Sequence, residues 1–341
     1  MTRLRLHLLL GLAVLGFALA ASLSAQVTAR RPGRPWKHQG VTTEDNVSDS
    51  ATRKWTLLFP GGLPDERFAG AAVYDSPTNS MIVFSGFGSA GPVNDVLSLS
   101  NANGSGASAW TTNSRMIIFG GCSFSGDLCA TLLNDVWVLT NANGVAGAPD
   151  WVQLSPAGTP PPGRWGHAAA YDPTNNRMIV YGGDNLSVTF SDVWVLSNAN
   201  GLGGTPTWTR LSPAGGPPTG QDSPSVVYDS THNILMEFAG SGANFGFDTN
   251  SVWTLSNANG LGASPVWTKI VADGAAGSPP RRDGHVAVYD SANDRMVVFG
   301  GNSNTATGFP ALNDAWVLAN ANGLNGAPTW ARVSPKGTLD A

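Results

Sequence analysis

The tetrapeptide Asn-Ala-Asn-Gly occurs five times, beginning at Asn101, Asn141, Asn198, Asn257 and Asn320. Repetition on this scale means that the chain is one structural unit written several times. Such a unit cannot bury its apolar face alone and must stack on its neighbours. Asn and Gly tolerate the positive φ that a tight turn demands, so the motif reads as a turn. It does not read as a calcium loop, which needs carboxylate charge that the tetrapeptide lacks.

Aligned on these turns, the units show four strand signals in fixed order. The first runs Arg164-Trp165-Gly166-His167-Ala168-Ala169-Ala170-Tyr171-Asp172, matched at 282–290, at 67–75 with Gly70 in the His place, and loosely at 221–229. The second is Arg177-Met178-Ile179-Val180-Tyr181-Gly182-Gly183, with counterparts at 80–86, 115–121, 234–240 and 295–301. Its apolar run suits a strand packed on both faces and stops at glycine. The third is Asp192-Val193-Trp194-Val195-Leu196, echoed at 95–99, 135–139, 251–255 and 314–318. After the Asn-Ala-Asn-Gly turn a short fourth strand is marked by Trp208, and elsewhere by Trp55, Trp110, Trp151, Trp267 and Trp330.

The Gly-Gly doublet closing an apolar strand, the Tyr ahead of it (Tyr171, Tyr289) and the Trp of the third strand resemble the kelch motif. The resemblance covers roughly residues 55 to 333, in units of about 57 to 63 residues in the regular part, longer than the ≈ 50 usual for kelch. It implies an all-β fold, a kelch-type β-propeller of about five four-stranded blades around a channel. The second blade departs from the pattern. Only five residues separate Trp110 from Met116, which leaves no room for an inner strand. Both an imperfectly closed ring of five blades and an incomplete ring therefore remain open.

Arg3 and Arg5 precede an apolar run from Leu8 to Ala21, followed by small residues through Ala25. This reads as a signal peptide over 1–25, too short in its apolar core to span a bilayer. Residues 26–54 form a polar linker and 55–341 the propeller. The expected protein is exported, whether periplasmic, secreted or at the cell surface, has no transmembrane segment after cleavage, and is a monomer. Cys122 and Cys129 are the only cysteines. In an exported chain this close pair is expected to form a disulfide. A formal net charge of -4 and scattered arginines exclude the basic stripe that nucleic acid requires.

Several residues that look like site residues have structural readings. Tyr74, Tyr171, Tyr228 and Tyr289 are equivalent repeat positions, and Tyr181 ends a second strand. They do not make the copper set that resemblance to galactose oxidase would require, and no cofactor or metal is expected. His167 and His285 also occupy matching positions and read as hydrogen-bonded structural residues. No catalytic residue is assigned.

The loops between second and third strands differ from unit to unit while the turns after the third strands are near copies. Variable loops on a rigid scaffold are where recognition concentrates. They carry Phe87, Phe124, Phe190, Phe245, Phe247 and Phe309, aromatics suited to stacking on a sugar or gripping a protein. Asp184, Glu237 and Asp248, with Arg164, are the polar candidates at the channel mouth. Glu237 stands where the other second strands have an aliphatic residue. The expected function is a binding scaffold for a protein or glycan. The alternatives are a carbohydrate-active enzyme similar to kelch-fold sugar oxidases or sialic acid mutarotases, and a truncated copy without function.

Overall fold

The computed structural model describes the backbone at residues 71–75, 80–88, 91–100, 115–125, 128–142, 148–216, 218–242, 248–303 and 310–333. Side chains are described within these from Arg115 onward, except at 124, 125 and 128. The expected signal peptide and linker, and Phe245, Phe247 and Phe309, lie outside the described residues.

Among the described residues, eighteen strands form five antiparallel sheets. The first holds β1 (Ala71–Asp75), β2 (Ser80–Gly88) and β3 (Gly91–Ser100). The second holds β4 (Arg115–Ser125), β5 (Leu128–Thr140) and β6 (Asp150–Leu154). The third contains β7 (Ala168–Asp172), β8 (Arg177–Tyr181), β9 (Val193–Ser197) and β10 (Thr207–Arg210). The fourth contains β11 (Ser225–Asp229), β12 (Ile234–Ser241), β13 (Asp248–Ser256) and β14 (Val266–Val271). The fifth contains β15 (Val286–Asp290), β16 (Arg295–Phe299), β17 (Ala315–Ala319) and β18 (Thr329–Val333). In the last three, strands pair in simple sequence order, and the inner strands β7, β11 and β15 lie side by side. In the second sheet β4 is an edge strand, and no inner strand pairs with it among the described residues.

The sheets stack face to face through their middle strands. In β8, Met178 and Val180 pack with Ile117, Phe119 and Val138 of the second sheet. The alternate residues Ile179 and Tyr181 pack with Leu235, Leu255 and Trp267 of the fourth. Met236 and Phe238 face Met296 and Val298 of the fifth in the same way. A strand buried on both faces has no polar side to show, which is why these segments read as continuous apolar runs.

The repeated turn uses each of its four residues. Asn198, Asn257 and Asn320 have φ of 50°, 52° and 52°, the left-handed region that Asn enters more readily than most residues. Ala199, Ala258 and Ala321 are fully buried. Asn259 Nδ2 reaches the neighbouring sheet and donates to Asp172 Oδ2 at 2.7 Å, as Asn322 does to Asp229 at 3.1 Å. The glycine closes the turn with its amide on the first Asn carbonyl.

The Cys122–Cys129 disulfide is formed. Its setting differs from the loop expected, because β4 and β5 run on through both cysteines and pair Phe124 with Cys129. The bond therefore staples a long hairpin.

Candidate functional site

The segment before each inner strand is irregular, and regular pairing begins only at Ala168, Ser225 and Val286. Its residues converge with the loops between second and third strands on one face of the molecule. Consecutive blades are tied there by a run of backbone bonds, Ser223 N to Gly166 O at 2.7 Å and Gly284 N to Ser223 O at 3.1 Å. All three linking residues have φ between 56° and 59°.

Below this rim lies a buried clamp. Arg164, with no exposed surface, donates to both carboxylate oxygens of Asp192 at 2.6 and 3.1 Å and to the Gly182 carbonyl at 2.9 Å. Trp194 Nε1 donates to the same carboxylate at 2.7 Å. Arg282, Asp314, Gly300 and Trp316 repeat the arrangement in the fifth sheet. Burial works against the charge on Asp192, but the Arg164 hydrogen bonds and charge, helped by Trp194, hold its carboxyl below the usual range. The fourth sheet has Gln221 and Ser251 at the two charged positions, so both halves of the pair are exchanged together. The Gly-Gly doublet serves this clamp. Gly182 and Gly183 turn with φ of 69° and 90°, and a Cβ on Gly183 would meet Trp165 O at 2.6 Å.

His167 and His285 pack edge-on against Phe119 and Phe238, with centroids 5.2 and 5.0 Å apart. Burial, then the adjacent arginine, lowers each imidazole to about 3, so both rings are neutral. His285 Nε2 lies 2.8 Å from Ser225 Oγ, in keeping with a hydrogen-bonded structural role.

At the rim, buried aspartates gather from three sheets. Asp222 is pushed up to about 8, first by burial and then by the charges of Asp184 and Asp283, against the opposing Ser223 hydroxyl. Asp283 is pushed up to about 7 by burial and the charge of Asp248. Asp222 presses on the next blade, since a Cβ on Gly166 would overlap its Oδ1. Near neutral pH Asp222 is therefore largely protonated, a buried carboxyl able to donate among the neighbouring aspartates. Among the described residues, no group of three or more His, Cys, Asp or Glu is placed to hold a metal ion.

The loop from Asp184 to Phe190 is tightly built. Asp184 accepts from the Leu186 amide and, at 2.9 Å, from the Thr189 hydroxyl. Asn185 Oδ1 accepts from the amides of Ser187 at 3.1 Å and Val188 at 2.8 Å. These bonds hold Leu186 at φ 71°, a strained conformation for a large side chain. They leave Leu186 and Val188 54% and 53% exposed. Phe190 at the base lies under the Arg164 guanidinium, 4.1 Å from its ring centre.

The other expected site residues are dispersed. Asp248 opens β13 and is buried beside Asp283. Phe87 and Phe124 lie in strands β2 and β4, beyond the point expected for loop residues. Glu237 is wholly buried, on the face of β12 that meets Tyr181. Its oxygens have no partner among the described residues, and burial raises its carboxyl well above the usual range. Asp222 and Asp283 were not expected from the sequence. Their signal was an Asp beside the Arg or Gln of the first-strand motif, a place held by Trp165 in the third blade.

No family model matches the chain. It is 28% identical over 196 residues to Adagio-like protein 3 of Oryza sativa subsp. japonica, covering 57% of this chain and 28% of that protein. It is 27% identical over 193 residues to Adagio protein 3 of Arabidopsis thaliana, covering 55% and 28%. It is also 28% identical over 209 residues to the flagellar outer-arm dynein alpha chain of Chlamydomonas reinhardtii, covering 58% and 4%. The chain thus spans less than a third of the length of these curated relatives. Among solved structures, that of YjhT superposes with a TM-score of 0.55 at 15% identity, over 83% of this chain and 88% of that one. At this identity the likeness speaks for the fold alone. Five stacked antiparallel sheets, the doublet-closed second strands and this superposition together make the fold a kelch-type β-propeller.

Proposed function

We propose that this propeller is an exported binding scaffold that engages a protein ligand through the rim bearing the 184–190 loop. The observation that carries the reading is the outward display of Leu186 and Val188 by a loop whose own hydrogen bonds fix its shape. Two exposed aliphatic side chains on a preorganised loop lose little entropy on docking and gain by leaving water. The disulfide is in keeping with an oxidising compartment. The test uses wild-type protein and a Leu186→Ser/Val188→Ser variant as baits on envelope and culture fractions of the source organism. A protein retained by the first and lost by the second supports the reading. Equal retention by both, or none by either, counts against it.

A second reading, a glycan site or carbohydrate-active centre, is favoured by the aspartate rim alone. A protonated Asp222 gathered with Asp184 and Asp283 can donate to and accept from hydroxyl groups. Thermal unfolding against a glycan panel separates the two readings. A sugar at about 100 times its Kd adds ≈ 2.7 kcal/mol, and for this reading the gain must be lost in Asp222→Asn.

A further inference from the structure

We propose that the second blade is completed by a strand from a partner protein, a nine-residue extended segment with Arg first and Asp last. Three separate vacancies in this chain outline that segment.

The first is the backbone edge of β4. In the three complete blades the second strand pairs on its inner side with β7, β11 or β15 over five residues. Among the described residues, nothing pairs with that side of β4. The second vacancy is Asp135. Its equivalents Asp192 and Asp314 each receive a bidentate arginine from the segment before their own inner strand. Among the described residues, Asp135 receives only the Trp137 indole, at 2.8 Å. The third is at the far end of β4. Asp172, ending one inner strand, accepts from Tyr228 and Asn259 of the next blade at 3.4 and 2.7 Å. Asp229 accepts in turn from Tyr289 and Asn322 at 3.3 and 3.1 Å. In the third blade the matching donors are Tyr171 and Asn200. Tyr171 bonds Asn176 within its own blade, at 3.0 Å, and among the described residues neither meets an aspartate from the second blade.

These vacancies lie along one line in the order that an antiparallel strand would fill them. Arginine would sit at Asp135, beside the Gly120-Gly121 end of β4. The strand would then run back along β4, and its final carboxylate would reach Tyr171 and Asn200. The spacing is that of the chain's own inner segments, Arg164 to Asp172 and Arg282 to Asp290. Addition of a strand to an open sheet edge takes affinity from backbone bonds and specificity from side-chain positions. Here the charge-assisted pair at Asp135 sets the register. The three residues matching Ala168, Ala169 and Ala170 must be small or β-branched, because an inner strand is packed on both faces, as those three are.

The probe is a labelled peptide with the sequence of residues 164–172, Arg-Trp-Gly-His-Ala-Ala-Ala-Tyr-Asp, titrated against the full chain. Saturable one-to-one binding is expected. It should weaken at least tenfold when the peptide's Arg is changed to Ala, and equally when the protein carries Asp135→Asn. The two changes combined should weaken it no further than either alone. The peptide change leaves the protein intact, so a poorly folded Asp135→Asn protein would not remove the test. Absence of saturable binding, or binding indifferent to both changes, overturns the proposal. So does a dimer of the chain that the peptide dissociates, which would make a second copy the occupant.

Discussion

A carboxyl group in this molecule takes its character from what the fold places beside it. Asp192 stays ionised because Arg164 arrives from the segment ahead of its own inner strand. Asp222, buried among other acids, keeps its proton to about 8. An unfolded aspartate releases its proton near 4. Between those values the folded state binds a proton that the unfolded state has lost, so stability must fall as pH rises across that window and level off above it. Asp283 adds a smaller fall ending near 7. Thermal unfolding of wild type is expected to show a Tm that declines from pH 6.5 to 8.5; below about 6.5 the decline is opposed by His167 and His285, neutral in the fold but protonated when unfolded. In Asp222→Asn the decline should be shallower by the share that Asp222 contributes, leaving the variant the more stable protein at pH 8; parallel curves would refute the assignment. Glu237 offers a simpler case. Its place is Val180 in the third blade and Val298 in the fifth, both fully buried. Glu237→Val removes a carboxyl with no partner among the described residues and should stabilise the fold by about 1–3 kcal/mol. That gain would be read as a Tm several degrees higher. A lower Tm would mean that the carboxyl makes a contribution that burial alone does not reveal.

At the scale of single elements, strands and turns were legible because their residues are local. The apolar second strands, their glycine ends and the Asn-Ala-Asn-Gly turns all lie where a two-sided strand and a left-handed turn require them. The turn's alanine was the part that local reasoning left unexplained. Ala258 is fully buried beside Ile179, Leu235 and Trp267, so the position is limited by the adjoining sheet. Ala258→Leu should destabilise by about 1–3 kcal/mol through overpacking, measurable by denaturant titration; an unchanged midpoint would show that the space is not closed. The clamp was harder to read, because Arg164 and Asp192 stand 28 positions apart and Arg282 and Asp314 stand 32 apart. One signal was present: Gln221 and Ser251 replace both partners in the same blade. The rim aspartates were illegible for a related reason, since the proton affinity of Asp222 depends on acids carried by two other sheets.

For the whole molecule, the fold and the lack of an inner strand beside β4 among the described residues could be read from counting repeats. What that lack leaves behind could not, because its traces lie on residues that look ordinary in sequence: Asp135, Tyr171 and Asn200. Hydrogen exchange should register the gap directly. Amides of β4 that face the missing strand are expected to exchange well ahead of the matching amides in β8, β12 and β16, which are covered by β7, β11 and β15. Equal protection in all four strands would mean that the edge is covered in solution. The bonds that join the third, fourth and fifth blades recur at the same places, Asp172 and Asp229 accepting from the following sheet while Gly183 N and Gly240 N donate forward to Gln221 O and Arg282 O. Each unit thus carries one half of the junction ahead of it and one half of the junction behind. Duplication or excision of a whole unit would join two surfaces that already fit, so a lineage of such chains can change its number of blades without inventing a new contact.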